Sequence, residues 1–356
     1  MGTLVLSHIP SLRATRAARR TRDRLLWDAV GRVEQRQAIA RCVPNADQID
    51  FDELVRLGAW EPGEGELLHV LVREASARRD RKPIACHVVS ATLPAGALMR
   101  VSLGVYAESP AFAALQYSRG RSLGEVVALL MELLGTYSLP EEATLPISWG
   151  GVWPDERDRE DVQQVHYRCE PAVTMAELRA MARWAKSSHF ATFRAAVRIA
   201  APGSASPAET VMFGMLGGPM RVGGFACAGL PKGGMLLNYR LNFDANAVRM
   251  ASNVPYAVSD AYIPAAKLDL EYNGAGHEEE NARIHDGQRN NGLKGMGVTV
   301  LVINRDQMRD IVALEAIARS IYKAAKRRFR YYTDGYRKLQ GAWLNELRKG
   351  VGLPPT

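Results

Sequence analysis

The sequence predicts two architectures in series: an α+β N-terminal domain, then an α/β core in which helices flank a mixed sheet. Three observations point there. The chain has 356 residues, 47% apolar and 24% charged, enough to bury a core in each of two globular domains. Up to about residue 135, short alternating strand-like runs are interspersed with helix-like ones. After Pro202-Gly203-Ser204 the pattern becomes a helix, three strands, a polar helix, an apolar strand and a basic helix. The expected division is an α+β domain over 1–165, a helical connector over 166–202 and the α/β core over 203–356.

Taken in order, residues 10–41 read as helix, with long side chains, alanine and arginine and neither Gly nor Pro between Pro10 and Gly31. Residues 46–58 read as a short helix closed by Gly58. Residues 67–74 fit a strand or a short helix, and 77–83 a charged turn. Residues 84–90 and 98–109 alternate about the turn Leu93-Pro94-Ala95-Gly96, which predicts two or three strands in a small antiparallel sheet. Helices follow at 110–118 and 122–135, the second opened by a capping box of Ser122 and Glu125. Residues 139–170, rich in Pro, Gly and charge, read as an excursion or linker. Thr174 with Glu177 opens a helix over 174–200. Ser206, with Pro207 at the first helical position and Glu209 in the first turn, opens another. Strands are expected at 236–243, 258–264, 267–273 and 297–304, with a polar helix at 278–296 before the last. Asp306 should cap a final helix running to about 348, with a weak point at Gly335.

The formal net charge is +8 and the isoelectric point about 9.4. The excess is clustered. Residues 11–24 hold six arginines, and 319–349 hold ten Lys/Arg against Asp334 and Glu346. Such clusters favour a polyanionic partner, of which nucleic acid is the usual one, or they are solvated helix faces. The four cysteines, Cys42, Cys86, Cys169 and Cys227, form no CxxC pair, which argues against cysteine-bound zinc and a disulfide framework. No run of 18 apolar residues suggests a membrane span, and the N-terminus lacks the order of a secretory signal. A cytoplasmic protein with reduced thiols is expected.

The chemistry concentrates in residues 258–273. Hydrolysing a phosphodiester calls for a hard divalent cation held by carboxylates on adjacent strands. Asp260 lies on the first strand of this pair and Glu271 on the second. Because side chains alternate, Asp269, Glu271 and Asn273 share one face and Leu268, Leu270 and Tyr272 the other. Three polar groups on one face of a central strand are costly to bury without a function; the alternative is an edge strand with one wet face.

Asp260 followed by Glu271-Tyr272-Asn273 resembles the PD-(D/E)xK restriction-endonuclease-like superfamily. More closely, DAYIPAAKLDLEYNGAGH, the helix with Arg283, Asp286 and Arg289-Asn290-Asn291, and GVTVLVIN resemble its very-short-patch-repair (Vsr)-like branch. Ser206-Pro207-Ala208-Glu209 matches the start of that branch's first helix, and the resemblance spans about 203–310. It implies a restriction-endonuclease-like core that cleaves DNA with Mg²⁺, or Mn²⁺. Asp260 and Glu271 would hold the metal, with Glu209 approaching it directly or through water. His277 would donate a proton or orient water, Arg283 and Arg289 would contact phosphate, and Asp286 would pair with an arginine or His277. The chain departs from the pattern at Asn273, where the superfamily has lysine and this branch often Asp; Asp269 is the residue placed to compensate. Residues 85–135 resemble AbiEi-like antitoxins and related winged-helix proteins, with Ala111 where those have an acid. The expectation is a DNA endonuclease of bacterial defence, repair or a mobile element. Its rivals are a catalytically silent DNA-binding regulator and an antitoxin-like module bound to a partner protein. A homodimer is compatible with each.

Overall fold

The computed structural model describes residues 3–63, 66–78, 82–140, 147–148, 163–273, 280–330 and 335–356, with backbone alone for 147–148, 163 and 280–286. The first half builds β1 (Leu4–Leu6), α1 (Ile9–Arg22), β2 (Asp28–Ala29), α2 (Arg32–Ala40), α3 (Phe51–Arg56), β3 (Leu68–Val72), β4 (Ile84–Val88), β5 (Leu98–Ser102) and β6 (Val105–Glu108). The sheet order is β2-β5-β6-β1-β3-β4. The small antiparallel sheet expected here is thus a six-stranded one, and it is mixed: β1 runs parallel to β6, and β3 parallel to β4. The strand that joins its halves, β1, is three buried residues, too short to show a period in sequence. The helix expected over 10–41 is two helices. Asp23, at φ 58°, ends α1 in the left-handed region, and Gly31 precedes α2.

A helical layer follows: α4 (Pro110–Tyr117), α5 (Leu123–Leu134), α6 (Met175–Trp184) and α7 (Ala191–Val197). Two small strand pairs lie between α5 and α6: β7 (Tyr137–Ser138) with β10 (His166–Tyr167), and β8 (Ile147–Ser148) with β9 (Gln163–Gln164). The expected linker over 139–170 otherwise falls largely outside the described residues. Both capping boxes form, Ser122 with Glu125 and Thr174 with Glu177. The helix expected at 174–200 breaks after Trp184, and Ser187 caps a short 3-10 turn before α7.

The second half builds α8 (Pro207–Met212), β11 (Leu236–Asn242), α9 (Ala245–Met250), β12 (Tyr256–Ile263), β13 (Leu268–Asn273), α10 (Glu280–Gly295), β14 (Thr299–Asn304), α11 (Ile311–Ala324) and α12 (Tyr336–Gly350). Its sheet runs β11-β12-β13-β14, with two antiparallel pairings and then a parallel one. This is a mixed sheet flanked by helices, as expected of this half; α9, capped by Asp244, is an addition. The last helix is really two. Asp306 sits in a turn, while Asp310 accepts from the Val312 amide and caps α11.

α5 ties the halves together. It is buried from Gly124 onward and packs against both α7 and α12. A Cβ on Gly124 would lie 2.4 Å from Glu346 Cβ, so glycine is what lets α12 approach this closely. One apolar core consequently runs from Val5 through Leu130 and Met212 to Leu270 and Leu347, across the expected boundaries. Arg19 of α1 is fully buried in this region. Its guanidinium donates to the carbonyls of Glu170 (3.0 Å), Glu132 (3.2 Å) and Gly135 (2.8 Å), which pins α1 to the C-terminal end of α5. Among the described residues no helix is long and apolar enough to cross a membrane, and all four cysteines are free thiols.

Where β1 meets α1, buried Glu108 holds the chain. Its carboxyl lies 2.6 Å from Ser7 Oγ and accepts from the His8 amide at 2.9 Å. Ser7 Oγ also sits 2.6 Å from His8 Nδ1, so the hydroxyl stands between a carboxyl and an imidazole, donating to one and accepting from the other. Burial pushes the Glu108 carboxyl up to about 8.

Two predictions follow from these contacts. Arg19→Met leaves the Glu170 and Gly135 carbonyls unsatisfied, while that of Glu132 keeps the Gly135 amide; it should destabilise the chain by about 3 kcal/mol in urea denaturation, and a loss below about 1 kcal/mol would contradict the pinning role. The folded Glu108 pKa lies above its ordinary 4.5, so the folded chain binds the proton more tightly. This contribution to stability is full below pH 4.5 and is lost as pH rises through about 8. Glu108→Gln keeps a donor for Ser7 and an acceptor for the His8 amide. It should therefore flatten stability against pH over that window, and an unchanged slope would refute the assignment.

Candidate functional site

The parallel pairing of β13 with β14 and the antiparallel pairing with β12 make β13 a central strand, which excludes the wet-edge alternative. Its faces divide as the alternation requires. Leu268 and Leu270 join the core; Asp269, Glu271 and Asn273 face the other way, with Asp269 fully buried, Glu271 half-buried and Asn273 exposed at the strand end. Asp260 of β12 is anchored to the same strand, accepting from the Tyr272 amide at 2.8 Å.

Arg289 of α10 reaches over this face. Its guanidinium donates to Asp269 Oδ2 (2.7 Å), to Glu271 Oε1 and to the Val258 carbonyl (3.1 Å). Among the described residues the other Asp269 oxygen, which is buried, has no hydrogen-bond partner. Glu209 approaches from α8. It accepts from the Ala205 amide (2.8 Å), Asn238 Nδ2 (2.7 Å) and the Ser206 hydroxyl (3.0 Å), while Ser206 accepts from the Glu209 amide and caps the helix.

The electrostatics are those of crowded acids. Burial and the nearby Asp260 charge push Glu209 up to about 7. Burial, then Asp269, raises Asp260 against the pull of the Tyr272 amide and Arg289. Burial, then Asp260 and Asp269, raises Glu271 despite its arginine partner. Like charges held together in a partly dry place favour a proton, or a cation, among them.

Of the residues expected from sequence, the fold thus gathers Glu209, Asp260, Asp269, Glu271 and Arg289. Asn273 stands at the rim. His277 lies outside the described residues; Arg283 and Asp286 lie on the first turns of α10, their side chains outside them too. Arg289, expected on phosphate, is engaged with two carboxylates. Sequence reading did not single out Asn238, which steers Glu209, nor a group at the C-terminal ends of β13 and β14. There Arg348 is buried, its Nη2 without a hydrogen-bond partner among the described residues. Burial and the neighbouring Arg309 and Arg305 depress it to about 10, and all three charges act on Tyr272. Only the basic composition of 319–349 hinted at this patch.

The face meets part of what a divalent cation requires. The donors fit: all are hard carboxylate oxygens, and one buried oxygen has no hydrogen-bond partner among the described residues. In this conformation, however, no three His, Cys, Asp or Glu side chains among the described residues stand in a ligand arrangement.

The interdependence of Asp269 and Arg289 is testable. Arg289→Met should destabilise the chain by about 3–5 kcal/mol, because a buried carboxylate loses its counter-charge. Adding Asp269→Asn should restore part of that loss in a double-mutant cycle, and strict additivity would show that the pair does not interact. In comparisons with known proteins, no family model, no curated protein and no solved structure matches the chain.

Proposed function

We propose that the chain is a Mg²⁺-dependent DNA endonuclease acting from the β12–β13 face. The observation that carries this reading is a cluster of acids from three elements at a central strand: Asp260, Asp269 and Glu271 act on one another, and Glu209 lies within reach of the Asp260 charge. Asp260 and Glu271 would hold the cation, with Glu209 beside Asp260. When bound, the cation supplies an activated water and offsets charge developing on the phosphodiester. The chain's own groups do the rest. Tyr272's amide fixes Asp260. Asn238 and Ser206 fix Glu209. Arg289 brings to Glu271 a positive charge that Asn273, standing in the superfamily's lysine position, lacks. The half-buried arginines at 305 and 309 suit contacts to a polyanionic backbone, with the buried charge of Arg348 behind them. Mn²⁺ would serve in place of Mg²⁺.

One observation favours a second reading, a catalytically silent DNA-binding regulator: Arg289 occupies Glu271, and no ligand triad is assembled. A plasmid-nicking assay separates the two. With Mg²⁺ or Mn²⁺ the wild type should nick DNA, and Asp260→Ala or Glu271→Ala should slow it about a hundredfold or more. Cleavage that survives both substitutions contradicts the site. Salt-sensitive DNA binding without cleavage selects the regulator. A stoichiometric protein partner, with no DNA affinity at about 0.1 M salt, would select an antitoxin-like module instead.

A further inference from the structure

A second constellation lies in the first half and shares no residue with the carboxylate face. His8, Ile9, His87, Gln116, Tyr117, Arg119 and Arg121 line a cavity of about 400 Å³. That volume suits a small molecule. Among the described residues two arginines line it and no acid does.

The backbone at His8 shows how much structure is committed to this place. His8 has φ 56° and ψ −128°, a conformation that costs a non-glycine residue free energy and persists only where neighbours enforce it. The enforcing contacts are the Glu108 carboxyl on its amide and the Ser7 hydroxyl on its ring. The His8 ring stacks on that of His87 with centroids 3.9 Å apart, and His69 Nδ1 lies 2.7 Å from His87 Nε2. His8 and His87 thus form a wall braced from behind by His69. When Glu108 holds its proton it donates to Ser7, Ser7 donates to His8 Nδ1, and the His8 Nε2–H remains as a donor.

The opposite wall comes from the end of α4 and the turn after it. Gln116 is nine-tenths buried, and among the described residues its side-chain oxygen has no hydrogen-bond partner. A buried amide oxygen left unmatched calls for a donor from whatever fills the cavity. Arg119 is exposed, and among the described residues no ion pair engages it. Arg121 lies over the Tyr117 ring at 4.9 Å and 3.4 Å from Glu125.

We propose that this cavity binds a small phosphorylated molecule carrying a hydroxyl near its phosphate: Arg119, Arg121 and His8 receive the phosphate and Gln116 the hydroxyl. Arginine forks suit phosphate oxygens, and a hydroxyl supplies the donor that Gln116 lacks.

Calorimetric titration of the full chain with ribose 5-phosphate tests this, with inorganic phosphate as a second titrant and chloride at matched ionic strength as control. Saturable binding of ribose 5-phosphate is expected. Arg119→Ala with Arg121→Ala should weaken it by about tenfold or more, with thermal melting confirming that the variant folds. Gln116→Leu should weaken ribose 5-phosphate while leaving inorganic phosphate unchanged. Absence of saturable binding, or full binding by the double arginine variant, overturns the proposal. Equal loss of both titrants in folded Gln116→Leu overturns the hydroxyl assignment.

Discussion

A carboxylate without solvent is costly by several kcal/mol unless a charge or several donors compensate it. Asp269 is placed in that situation at the centre of a sheet, with two further acids beside it. What makes the arrangement tolerable is the single guanidinium of Arg289, which spans Asp269, Glu271 and the Val258 carbonyl. The bond also fixes α10 across β12 and β13, since Arg289 is the residue by which that largely polar helix grips the sheet's polar face. One turn further along the same face of α10, Leu293 is buried in a small apolar cluster with Leu241, Ala257 and Val298.

The rest of the fold keeps that face in place from behind. The other face of β13 gives Leu268 and Leu270 to a core that continues through α5 to α12. α8 carries Glu209 to the site, and α8 is itself tied to the first half by the Tyr137 hydroxyl, 2.9 Å from that of Thr210. A change at the α5–α12 contact would therefore reach the carboxylates through packing. The same reasoning explains why the two halves share one core although their sequence patterns differ: α5 is apolar on nearly every side, and a helix of that kind must be covered all round.

Much of this was readable from the chain itself. The strands around Asp260 and Glu271 announced themselves because alternation places like residues on like faces, and the capping boxes because hydroxyl and acid spacing is set by helix geometry. What escaped was non-local. β1 is three residues long, and nothing in Leu4–Leu6 reveals that it lies between β6 and β3. The break between α6 and α7 depends on Ser187 capping a turn inside an otherwise helical composition. Asp306 and Asp310 are equally good caps by type, and only the turn after β14 decides between them. At the site, pattern located the acids but could not tell that Arg289 would bond to them, nor that Asn238 would steer Glu209. Both depend on how α10 and β11 lie against β12 and α8.

The central claim is that the acids of β12, β13 and α8 form a cation site whose charge is balanced in part by Arg289. Mn²⁺ binding followed by electron paramagnetic resonance addresses it without requiring turnover. The account predicts a saturable Mn²⁺ site in the wild type, weakened about tenfold or more by Asp260→Asn. A wild type that binds no Mn²⁺, or an Asp260→Asn variant that binds it equally well, would contradict it.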